Sequence, residues 1–186
     1  MIIRILTILC LTLFSTTIFS KEIPVIVITA SKKPQSLSTV GTSVTVLDEK
    51  FFNNSSEYFL GDAIGVTSTS ANFFQSGGHG TASAIQLRGM PKRYSTVYID
   101  GVKMSDPSSV SNDFDFNNIL TNQVSRVEIL KGNQSSVYGS GAIGGTIHIT
   151  TKKGNPGFNK DINYTTGSYG THSLSTSVSG GNESKR

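Results

Sequence analysis

The sequence predicts an α/β (α+β) domain with a mixed, mostly β core and only short helices. Runs rich in β-branched residues alternate with Gly-rich or polar turns over most of the chain, as in strands joined by tight connections. Helix signals are confined to residues 48–65. Ser, Thr, Asn and Gly supply 78 of the 186 residues, and charged residues supply only 15%. Because 36% of the residues are hydrophobic, the composition indicates a folded, β-rich chain with polar, uncharged surfaces.

Residues 1–20 have the organisation of a secretory signal. A basic start at Arg4 precedes an apolar run from Ile5 to about Phe19, and Ser20 is the small residue at the expected cleavage point. A spanning helix needs about 20 apolar residues, so this run is too short to be one. A buried N-terminal helix is the alternative. The only cysteine, Cys10, lies in this segment, so the exported chain would have no disulfide, thiol nucleophile or Cys metal site.

An extended segment and a tether are predicted next. Residues 22–31, EIPVIVITAS, form a β-branched run with almost no polar face. Residues 31–41, SKKPQSLSTVG, have the Ser- and Pro-containing composition of a connecting segment. A strand is then predicted from Thr42 to Leu47.

Two short helices are predicted after this strand. The first opens at Asp48, and the second has Asn54 as its N-cap with Glu57 three residues later, which is the spacing of a capping box. The apolar face of the second helix would consist of Leu60, Ala63 and Ile64. Gly65 would end this helix.

From residue 66 to about residue 153 the pattern is mostly that of strands. VTSTSAN, AIQLRG and STVYID are separated by Gly-rich or polar turns. Asp100-Gly101 lies between apolar runs and indicates a hairpin, because a type I′ turn needs positive φ at both central positions. Two further strands with alternating apolar and polar positions are predicted from Val124 to Gly132 and over residues 146–151.

Residues 154–186 are predicted to form a linker followed by a hairpin. GNPGF has the composition of a linker, and the weakly alternating runs DINYTTG and THSLSTSVSG flank a turn around residues 167–170. Leu174 and Val178 would lie on one face of the second run, with serines on the other. This pattern is typical of a transmembrane β-hairpin, and an ordinary soluble hairpin has the same pattern.

The stretch YGSGAIGG contains a G-x-G-x-x-G spacing at Gly139, Gly141 and Gly144. A dinucleotide site needs a strand before these glycines and a helix after them, whose N-terminus holds the pyrophosphate. Here a polar turn precedes the glycines and a strand follows, which argues against a nucleotide enzyme. Glycines that lead into a strand are expected where the backbone turns tightly or passes close to a wall.

One loop resembles the opening of a calcium site. Asp113, Asp115 and Asn117 have the right spacing, but Asn118 stands where Gly is needed and Val124 where the closing Glu is needed. A helical calcium loop is therefore excluded, while the loop acids remain candidate calcium or ligand contacts.

The remaining chemistry-bearing residues form no catalytic pattern. The three histidines are far apart in sequence, and His148 is expected on the polar face of a strand, in a surface position. Ser140 lies in GSG rather than in a nucleophile motif. Basic residues occur as scattered pairs with a net charge of +4, which indicates solvated surface rather than a nucleic-acid face.

Several stretches resemble, in order, the N-terminal part of TonB-dependent outer-membrane receptors. The matching stretches are PVIVITAS, SVTVLDEKFF, SGGHGTASAIQLRGM, VYIDGVKM, VSRVEILKGNQSSVYGSGAIGGTIHITTKKG and NYTTGSYGTHSLS. The long run that contains RVEILKG and YGSGAIGG is the most specific. Within the family the chain is most similar to the vitamin B12 (cobalamin) receptor branch, through ITAS, QSGGHG, IDGV and the pair Val110-Ser111.

This resemblance implies a plug domain inside a transmembrane barrel of roughly 22 strands, of which this chain holds only the first strands. The implied organisation is a signal peptide (1–20), a TonB box with a flexible tether (21–38), the plug (39–153), and a linker with the first barrel hairpin (154–186). The implied location is the outer membrane of a Gram-negative type of cell. A plug presents polar surface to a polar lumen, which accounts for the composition.

The resemblance also implies the function. The protein would bind and import a scarce, bulky nutrient, namely cobalamin, with energy delivered through TonB and its inner-membrane complex. An iron-siderophore or haem receptor is the alternative, and a periplasmic binding or adhesion module without transport is the alternative from another class. Neither enzyme activity nor a cofactor is expected, and cobalamin or a metal chelate would be the transported ligand.

Three groups of site residues follow from the resemblance. The TonB box would pair by strand addition with a sheet edge of TonB, an ordinary plug strand being the alternative, and it comprises Pro24, Val25, Ile26, Val27, Ile28, Thr29, Ala30 and Ser31. The substrate-binding residues would be Ala82, Ala84, Pro91, Val110 and Ser111. Arg88 and Lys131 would pair with carboxylates of the barrel, because buried charges need partners.

Overall fold

The computed structural model describes residues 25–27, 29, 33–111, 114–154 and 156–181. The predicted signal at residues 1–20 lies outside them. The strands and α-helices of the described residues are, in chain order, β1 (Ile26–Val27), β2 (Gln35–Ser36), β3 (Ser43–Leu47), α1 (Glu49–Asn54), α2 (Leu60–Thr67), β4 (Ala71–Gln75), β5 (Ser83–Leu87), β6 (Ser95–Ile99), β7 (Val102–Met104), β8 (Val124–Lys131), α3 (Ser135–Tyr138), β9 (Gly145–Thr151), β10 (Gly157–Gly167) and β11 (Thr171–Gly181). The predicted fold, a mostly β core with short helices, is confirmed.

A five-stranded mixed sheet forms the centre of the domain, in the order β3-β8-β9-β6-β7. Its neighbours are antiparallel except for β6 and β9, which run parallel. One face carries buried apolar side chains from the three central strands, namely Val97, Val127, Ile129, Ile147 and Ile149. These side chains belong to one hydrophobic cluster with Leu60 and Ile64 of α2 and with Ile85 and Leu87 of β5. Residues that alternate with them point to the opposite face.

The first helix begins as the sequence predicts, and the second does not. Asp48 caps α1, because its carboxylate accepts a hydrogen bond from the backbone N–H of Phe51 at 2.9 Å. Asn54, predicted to cap the second helix, is instead the last residue of α1. Helix α2 begins at Leu60 without a side-chain cap, and the backbone N–H of Leu60 donates to the carbonyl of Ile119 at 2.9 Å. A distant loop therefore replaces the predicted local cap.

The predicted end of α2 at Gly65 is also wrong, since the helix continues to Thr67. Gly61 and Gly65 lie against Phe73 of β4. A Cβ at Gly61 would come within 2.3 Å of the ring, and one at Gly65 within 2.9 Å of the Phe73 Cβ. These glycines permit close packing between helix and strand. The strand predicted from residue 66 accordingly begins only at Ala71, after the helix and a turn.

The predicted Asp100-Gly101 hairpin is confirmed between β6 and β7. Asp100 has φ +49° and Gly101 has φ +85°, as a type I′ turn requires. The Asp100 carboxylate accepts hydrogen bonds from the Thr151 backbone N–H at 3.0 Å and the Thr151 hydroxyl at 2.6 Å. These bonds hold the pKa of Asp100 below its usual value. The turn is thereby tied to the end of β9.

The last two strands form a long hairpin with two unlike faces. β10 and β11 pair antiparallel from Gly157 opposite Gly181 to Gly167 opposite Thr171. The exposed apolar side chains share one face and are Phe158, Ile162, Tyr164, Leu174 and Val178. The other face is polar, and its Ser173 hydroxyl lies 2.8 Å from the hydroxyl of Tyr58 in the domain. In the described part of the chain, no helix is both long and apolar enough to cross a membrane.

Candidate functional site

The described residues of the N-terminal segment, 25–27 and 29, contact the face of the central sheet opposite the hydrophobic cluster. β1 pairs antiparallel with β2, and the backbone N–H of Leu37 donates to the carbonyl of Val25 at 2.8 Å. Val27 is fully buried, whereas 44% of Val25 and 52% of Ile26 are exposed. A single apolar side chain therefore anchors the described part of this segment.

Polar contacts complete the docking of the segment. The backbone N–H and the hydroxyl of Thr29 both donate to Oε2 of Glu128, at 3.2 and 2.6 Å. The phenol of Tyr138 donates to the carbonyl of Thr29 at 2.5 Å, and Nη2 of Arg126 donates to the carbonyl of Ile26. Nε of Arg126 pairs with Oε1 of Glu128 at 2.7 Å. Backbone groups at both ends of the segment are thus bonded to the domain.

The electrostatics of these contacts suit their roles. Burial alone would raise the pKa of Glu128, but hydrogen bonds from Thr29 and Arg126 outweigh it and hold that pKa below its usual value. The carboxylate is therefore ionised at neutral pH although its residue is only 4% exposed. Burial, with smaller contributions from Tyr98 and Glu128, raises the pKa of Tyr138. Its phenol stays protonated and able to donate.

Three neighbouring rings, of which two are stacked and the third is tilted, lie beside this carboxylate. The His148 ring stacks on Tyr98 at 4.7 Å with planes 6° apart, and the Tyr138 ring lies 4.9 Å from it. Burial lowers the pKa of His148 to about 4, against an opposing effect of Glu128, so the ring is neutral at pH 7. Nε2 of His148 lies 3.1 Å from the Thr146 hydroxyl. His148 lies on the face of its strand opposite the hydrophobic cluster, as predicted, but it is half-buried rather than fully at the surface, because two tyrosine rings partly cover it.

Of the predicted TonB-box residues, the structure describes Val25, Ile26, Val27 and Thr29, while Pro24, Ile28, Ala30 and Ser31 lie outside the described residues. The groups that hold the segment are Arg126, Glu128 and Tyr138, which sequence reasoning did not select. The sequence feature that could have indicated Arg126 and Glu128 is a pair of opposite charges two residues apart, on one face of a predicted strand. Nothing local indicated their bonding partners about a hundred residues earlier in the chain.

The two predicted plug cations lie close together. Arg88 is exposed and has φ +54°, while Lys131 is half-buried at the end of β8. Burial, and then the nearby Arg88, lower the pKa of Lys131. A Cβ at Gly132 would lie 3.0 Å from Nη1 of Arg88. Among the residues described, neither cation forms a salt bridge with a carboxylate.

The structure brings two of the predicted substrate residues to one open groove. Pro91 and Ser111 line a cavity of about 260 Å³ together with Phe74, Lys92 and Arg93, and with Gln86. Half of the Phe74 side chain is exposed. The guanidinium of Arg93 lies 4.9 Å from the centre of the Tyr94 ring. The groove therefore combines aromatic surface with two neighbouring cations.

The other predicted substrate residues do not line this groove. Val110 is fully exposed and Ala82 is exposed, so both offer surface to a ligand. Ala84 is only 2% exposed, so its methyl group is covered by neighbouring atoms. Its backbone belongs to β5, opposite Phe74 of β4. Ala84 thus offers almost no side-chain surface here.

Acidic loop residues are engaged in hydrogen bonds within the chain. Oδ1 of Asp115 accepts from the Ser83 hydroxyl at 2.8 Å and from its backbone N–H at 3.2 Å. Oδ1 of Asp106 accepts from the backbone N–H and the hydroxyl of Ser108, at 2.9 and 2.6 Å. Asp113 lies outside the described residues. No group of three or more His, Cys, Asp or Glu able to hold a metal ion occurs in the described ranges.

The glycine-rich run makes the close backbone approach that its sequence predicts. Gly145 has φ +145°, and a Cβ there would lie 2.2 Å from the carbonyl oxygen of Leu130. A Cβ at Gly144 would lie 3.2 Å from the carbonyl oxygen of Tyr94, to which Gly144 donates its own N–H at 3.0 Å. β9 follows the run directly, so the glycines do not lead into a helix N-terminus.

Comparison with known families gives one match that spans most of the domain. Residues 36–146 match the family model described as TonB-dependent Receptor Plug Domain. This range runs from β2 to the first residues of β9 and includes the groove, both cations and the three groups that hold the N-terminal segment.

Several solved structures are similar to the chain. The ferripyoverdine receptor of the outer membrane of Pseudomonas aeruginosa aligns with a TM-score of 0.71 and 21% identity, over 87% of this chain and 21% of the receptor. The alcaligin outer-membrane receptor FauA from Bordetella pertussis aligns with a TM-score of 0.66 and 20% identity, over 82% of this chain and 26% of the receptor. The ferric yersiniabactin uptake receptor FyuA from Yersinia pestis aligns with a TM-score of 0.60 and 24% identity, over 76% of this chain and 22% of the receptor. At these identities the likeness shows the fold alone, and the chain spans only about a fifth to a quarter of each receptor.

Proposed function

The chain belongs to the TonB-dependent receptor plug domain family, and from this premise we propose that it is the plug-bearing part of an outer-membrane receptor that imports a nutrient with energy delivered through TonB. The observation that carries the proposal is the match over residues 36–146, directly preceded by an extended segment docked on the plug. The proposal assigns the chain binding and gating, without a catalytic step.

The N-terminal segment fits the role of a TonB box. Strand addition requires an extended peptide whose backbone can pair with a sheet edge, and Ile26–Val27 is already an extended pair. The part in contact with the plug is small, because Val27 is its one buried apolar anchor among the described residues. A pulling partner could therefore take over this segment without unfolding the central sheet.

The last hairpin supports placement in the outer membrane. Its outer face exposes five large apolar side chains, whereas the face toward the plug is polar. Apolar residues facing lipid and polar residues facing the lumen are the alternation of a transmembrane barrel strand. We assign residues 157–181 to the first hairpin of the barrel and residues 1–20 to the export signal.

Arg88 and Lys131 suit a contact between plug and barrel. Each lacks a carboxylate partner in the described part of the chain, and burial already lowers the pKa of Lys131. Enclosing two neighbouring cations in a barrel is unfavourable unless carboxylates meet them. We assign those carboxylates to the inner wall of the barrel.

For the ligand we favour a ferric siderophore. The similar structures are receptors for ferripyoverdine, alcaligin and ferric yersiniabactin. Lys92 and Arg93 line the open groove, where neighbouring cations attract an anionic chelate and Phe74 offers an aromatic surface. These features suit a charged chelate better than an uncharged one.

Cobalamin is the second candidate ligand. The observation that favours it is the sequence likeness to the cobalamin branch, in which Val110-Ser111 belongs to a substrate loop. Val110 is fully exposed, as a ligand-contacting loop residue would be. Haem stays an alternative within the same class of receptor.

Direct binding to the full-length receptor tests this proposal. Purified receptor is titrated with a panel of ferric siderophores, with cyanocobalamin and with haem, and uptake is measured in receptor-deficient cells with and without TonB. We expect saturable binding of a ferric siderophore and TonB-dependent uptake. Binding of cobalamin alone would select the second candidate. Uptake that persists without TonB would overturn the energy source.

A further inference from the structure

One cation lies on the outer, apolar face of the β10–β11 hairpin. Lys160 is two residues from Phe158 and two from Ile162, so its side chain belongs to their face of the strand. It is paired across the hairpin with Val178, which is 68% exposed. Lys160 is itself exposed, and no carboxylate of the described residues forms a salt bridge with it. The face assigned to lipid therefore carries a positive charge that these residues do not neutralise.

An aromatic ring determines where this charge lies. Nζ of Lys160 is 5.0 Å from the centre of the Phe158 ring, within the range of a cation–π contact. Phe158 is nearer than Lys160 to the open end of the hairpin, where Gly157 lies opposite Gly181. The ammonium group thus points along the strand, away from Ile162 and the centre of the apolar face. A long basic side chain that reaches from apolar surface toward lipid head groups has this geometry.

The opposite end of the same face carries a second pair of rings. Tyr164 and His172 stack there, and the Tyr164 hydroxyl lies 3.0 Å from Nδ1 of His172. The pair formed by Ile162 and Thr176 lies between the two ends. Aromatic residues on both sides of an apolar band mark the two membrane interfaces of a barrel strand. Lys160 therefore lies close to one of these interfaces and not in the middle of the band.

The end of the hairpin that carries Lys160 lies away from the proposed ligand groove. Lys160 lines a cavity of about 420 Å³ together with Ser125, the second residue of β8. Arg88, three residues before the groove residue Pro91, lies beside Gly132, which directly follows the last residue of β8. The groove and Lys160 are thus at opposite ends of this strand. Under the proposed function the ligand arrives from outside the cell, which places Lys160 at the periplasmic interface.

We propose that Lys160 and Phe158 form a binding site for the phosphate of an anionic glycerophospholipid in the periplasmic leaflet of the outer membrane. The inference rests on the proposed function, which places this hairpin in the barrel wall. The charges are complementary, because an ammonium group beside an anionic lipid surface attracts its phosphates and offers them three hydrogen-bond donors. The acyl chains of the same lipid cover Ile162 and Val178, which are 74% and 68% exposed.

The test measures lipid preference at the hairpin of the full-length receptor, reconstituted in phosphatidylcholine bilayers. Val178→Cys, opposite Lys160, carries a fluorescent label. Phosphatidylglycerol and phosphatidylcholine with brominated acyl chains are compared as quenchers, which gives the relative association constant of the anionic and the zwitterionic lipid beside the label. Lys160→Gln removes the charge and Lys160→Arg retains it. The matched control is Lys103→Gln, which removes the charge of an exposed lysine in β7, outside the hairpin.

We expect the parent, Lys160→Arg and Lys103→Gln to prefer phosphatidylglycerol about fivefold, the effect of one basic residue near an anionic lipid surface. Lys160→Gln should bind the two lipids about equally. Added salt should weaken the preference of the parent, because screening weakens the attraction between exposed charges. An unchanged far-UV circular dichroism spectrum verifies the fold of each variant.

Equal quenching by the two lipids in the parent, or a preference that Lys160→Gln retains, would overturn the lipid site and leave the hairpin in the membrane. Absence of quenching by either lipid would overturn the assignment of the hairpin to the barrel wall, and the lipid site with it. Displacement of brominated phosphatidylglycerol by lipopolysaccharide, but not by unlabelled phosphatidylglycerol, would overturn the choice of lipid and of leaflet.

Discussion

Gly145 combines two constraints at the start of β9. Its φ of +145° is a conformation that residues with a side chain rarely adopt, and a Cβ there would meet the Leu130 carbonyl oxygen at 2.2 Å. The contact is with backbone of the neighbouring strand β8, so no side chain can rotate away. The glycine-rich run is therefore required by the path of the chain.

We expect Gly145→Ala to lower the free energy of unfolding by about 2 kcal/mol or more, through backbone strain and the clash with β8. Urea unfolding of the chain, followed by circular dichroism, measures the effect. Gly41→Ala is the control, because a Cβ there meets nothing within 4 Å and φ is not positive. Equal midpoints for the two variants would contradict the close-approach explanation.

His148 links stability to pH. Its pKa is about 4 in the fold and 6.5 when unperturbed, so the unfolded chain binds its proton first as pH falls. The stabilisation that depends on neutral His148 is complete above pH 6.5 and is lost as pH falls toward 4. Between pH 7 and pH 4.5 we expect a loss of about 2 kcal/mol from this group.

The measurement compares urea midpoints of the parent chain and His148→Gln at both pH values. Gln can still reach the Thr146 hydroxyl but does not titrate in this range. Carboxylates, including Glu128, titrate in both proteins, so the difference between the two pH slopes isolates His148. If the urea midpoint of His148→Gln falls between the two pH values by as much as that of the parent, the His148 ring is solvated rather than buried under Tyr98 and Tyr138.

At the scale of elements, the strand β8 serves both faces of the sheet. Val127 and Ile129 enter the hydrophobic cluster, whereas Arg126 and Glu128 hold the N-terminal segment on the other side. Lys131 ends the same strand beside Arg88. One strand thus carries core packing, the contacts to the N-terminal segment and a cation that we assign to the barrel contact.

A proline substitution in the strand β1 tests whether this strand couples the receptor to TonB. Proline at Val27 lacks the backbone N–H and is disfavoured in paired strands, so Val27→Pro should disrupt strand addition. We expect the full-length receptor with Val27→Pro to lose uptake while binding its ligand as the parent does. Val27→Ile is the control, since it keeps the N–H and the β-branched shape. Normal uptake by Val27→Pro would refute the assignment of the TonB box.

At the scale of the whole molecule, the chain is a folded plug with one barrel hairpin. The plug has its own hydrophobic cluster, but β10 and β11 pair only with each other among the described strands. Both outer edges of this hairpin therefore carry unpaired backbone groups, which a lipid environment does not tolerate. Under the proposed function, transport requires further strands to close the wall.

We accordingly expect these 186 residues alone to give no uptake in receptor-deficient cells, whatever ligand the full-length receptor takes. The measurement is accumulation of the labelled ligand against an empty vector, with the full-length receptor as positive control. Detection of the chain in the cell envelope by antibody ensures that absence of uptake is not absence of protein. Accumulation above the empty vector would contradict the requirement for a closed barrel.

Local signals predicted much of the fold and little of the site. The Asp48 cap, the Asp100-Gly101 turn and the alternation of side-chain faces in β8 act within a few residues, and the structure bears them out. The predicted start of α2 is wrong because the first backbone N–H of the helix donates to the carbonyl of Ile119 in a distant loop. The predicted end of α2 is wrong because Gly65 allows the helix to pack closely against β4 and does not terminate the helix.

Sequence alone determined the family, the mostly β fold and the tight path through the glycine-rich run, because ordered motifs and turn chemistry are local properties of the chain. Only the tertiary structure decided that Glu128 and Tyr138 meet the N-terminal segment and that His148 is covered. It alone also brought Pro91 and Ser111 together with two cations in one groove. These contacts join residues far apart in sequence, and their energetics depend on burial, which is set only when the sheet, loops and N-terminal segment have packed.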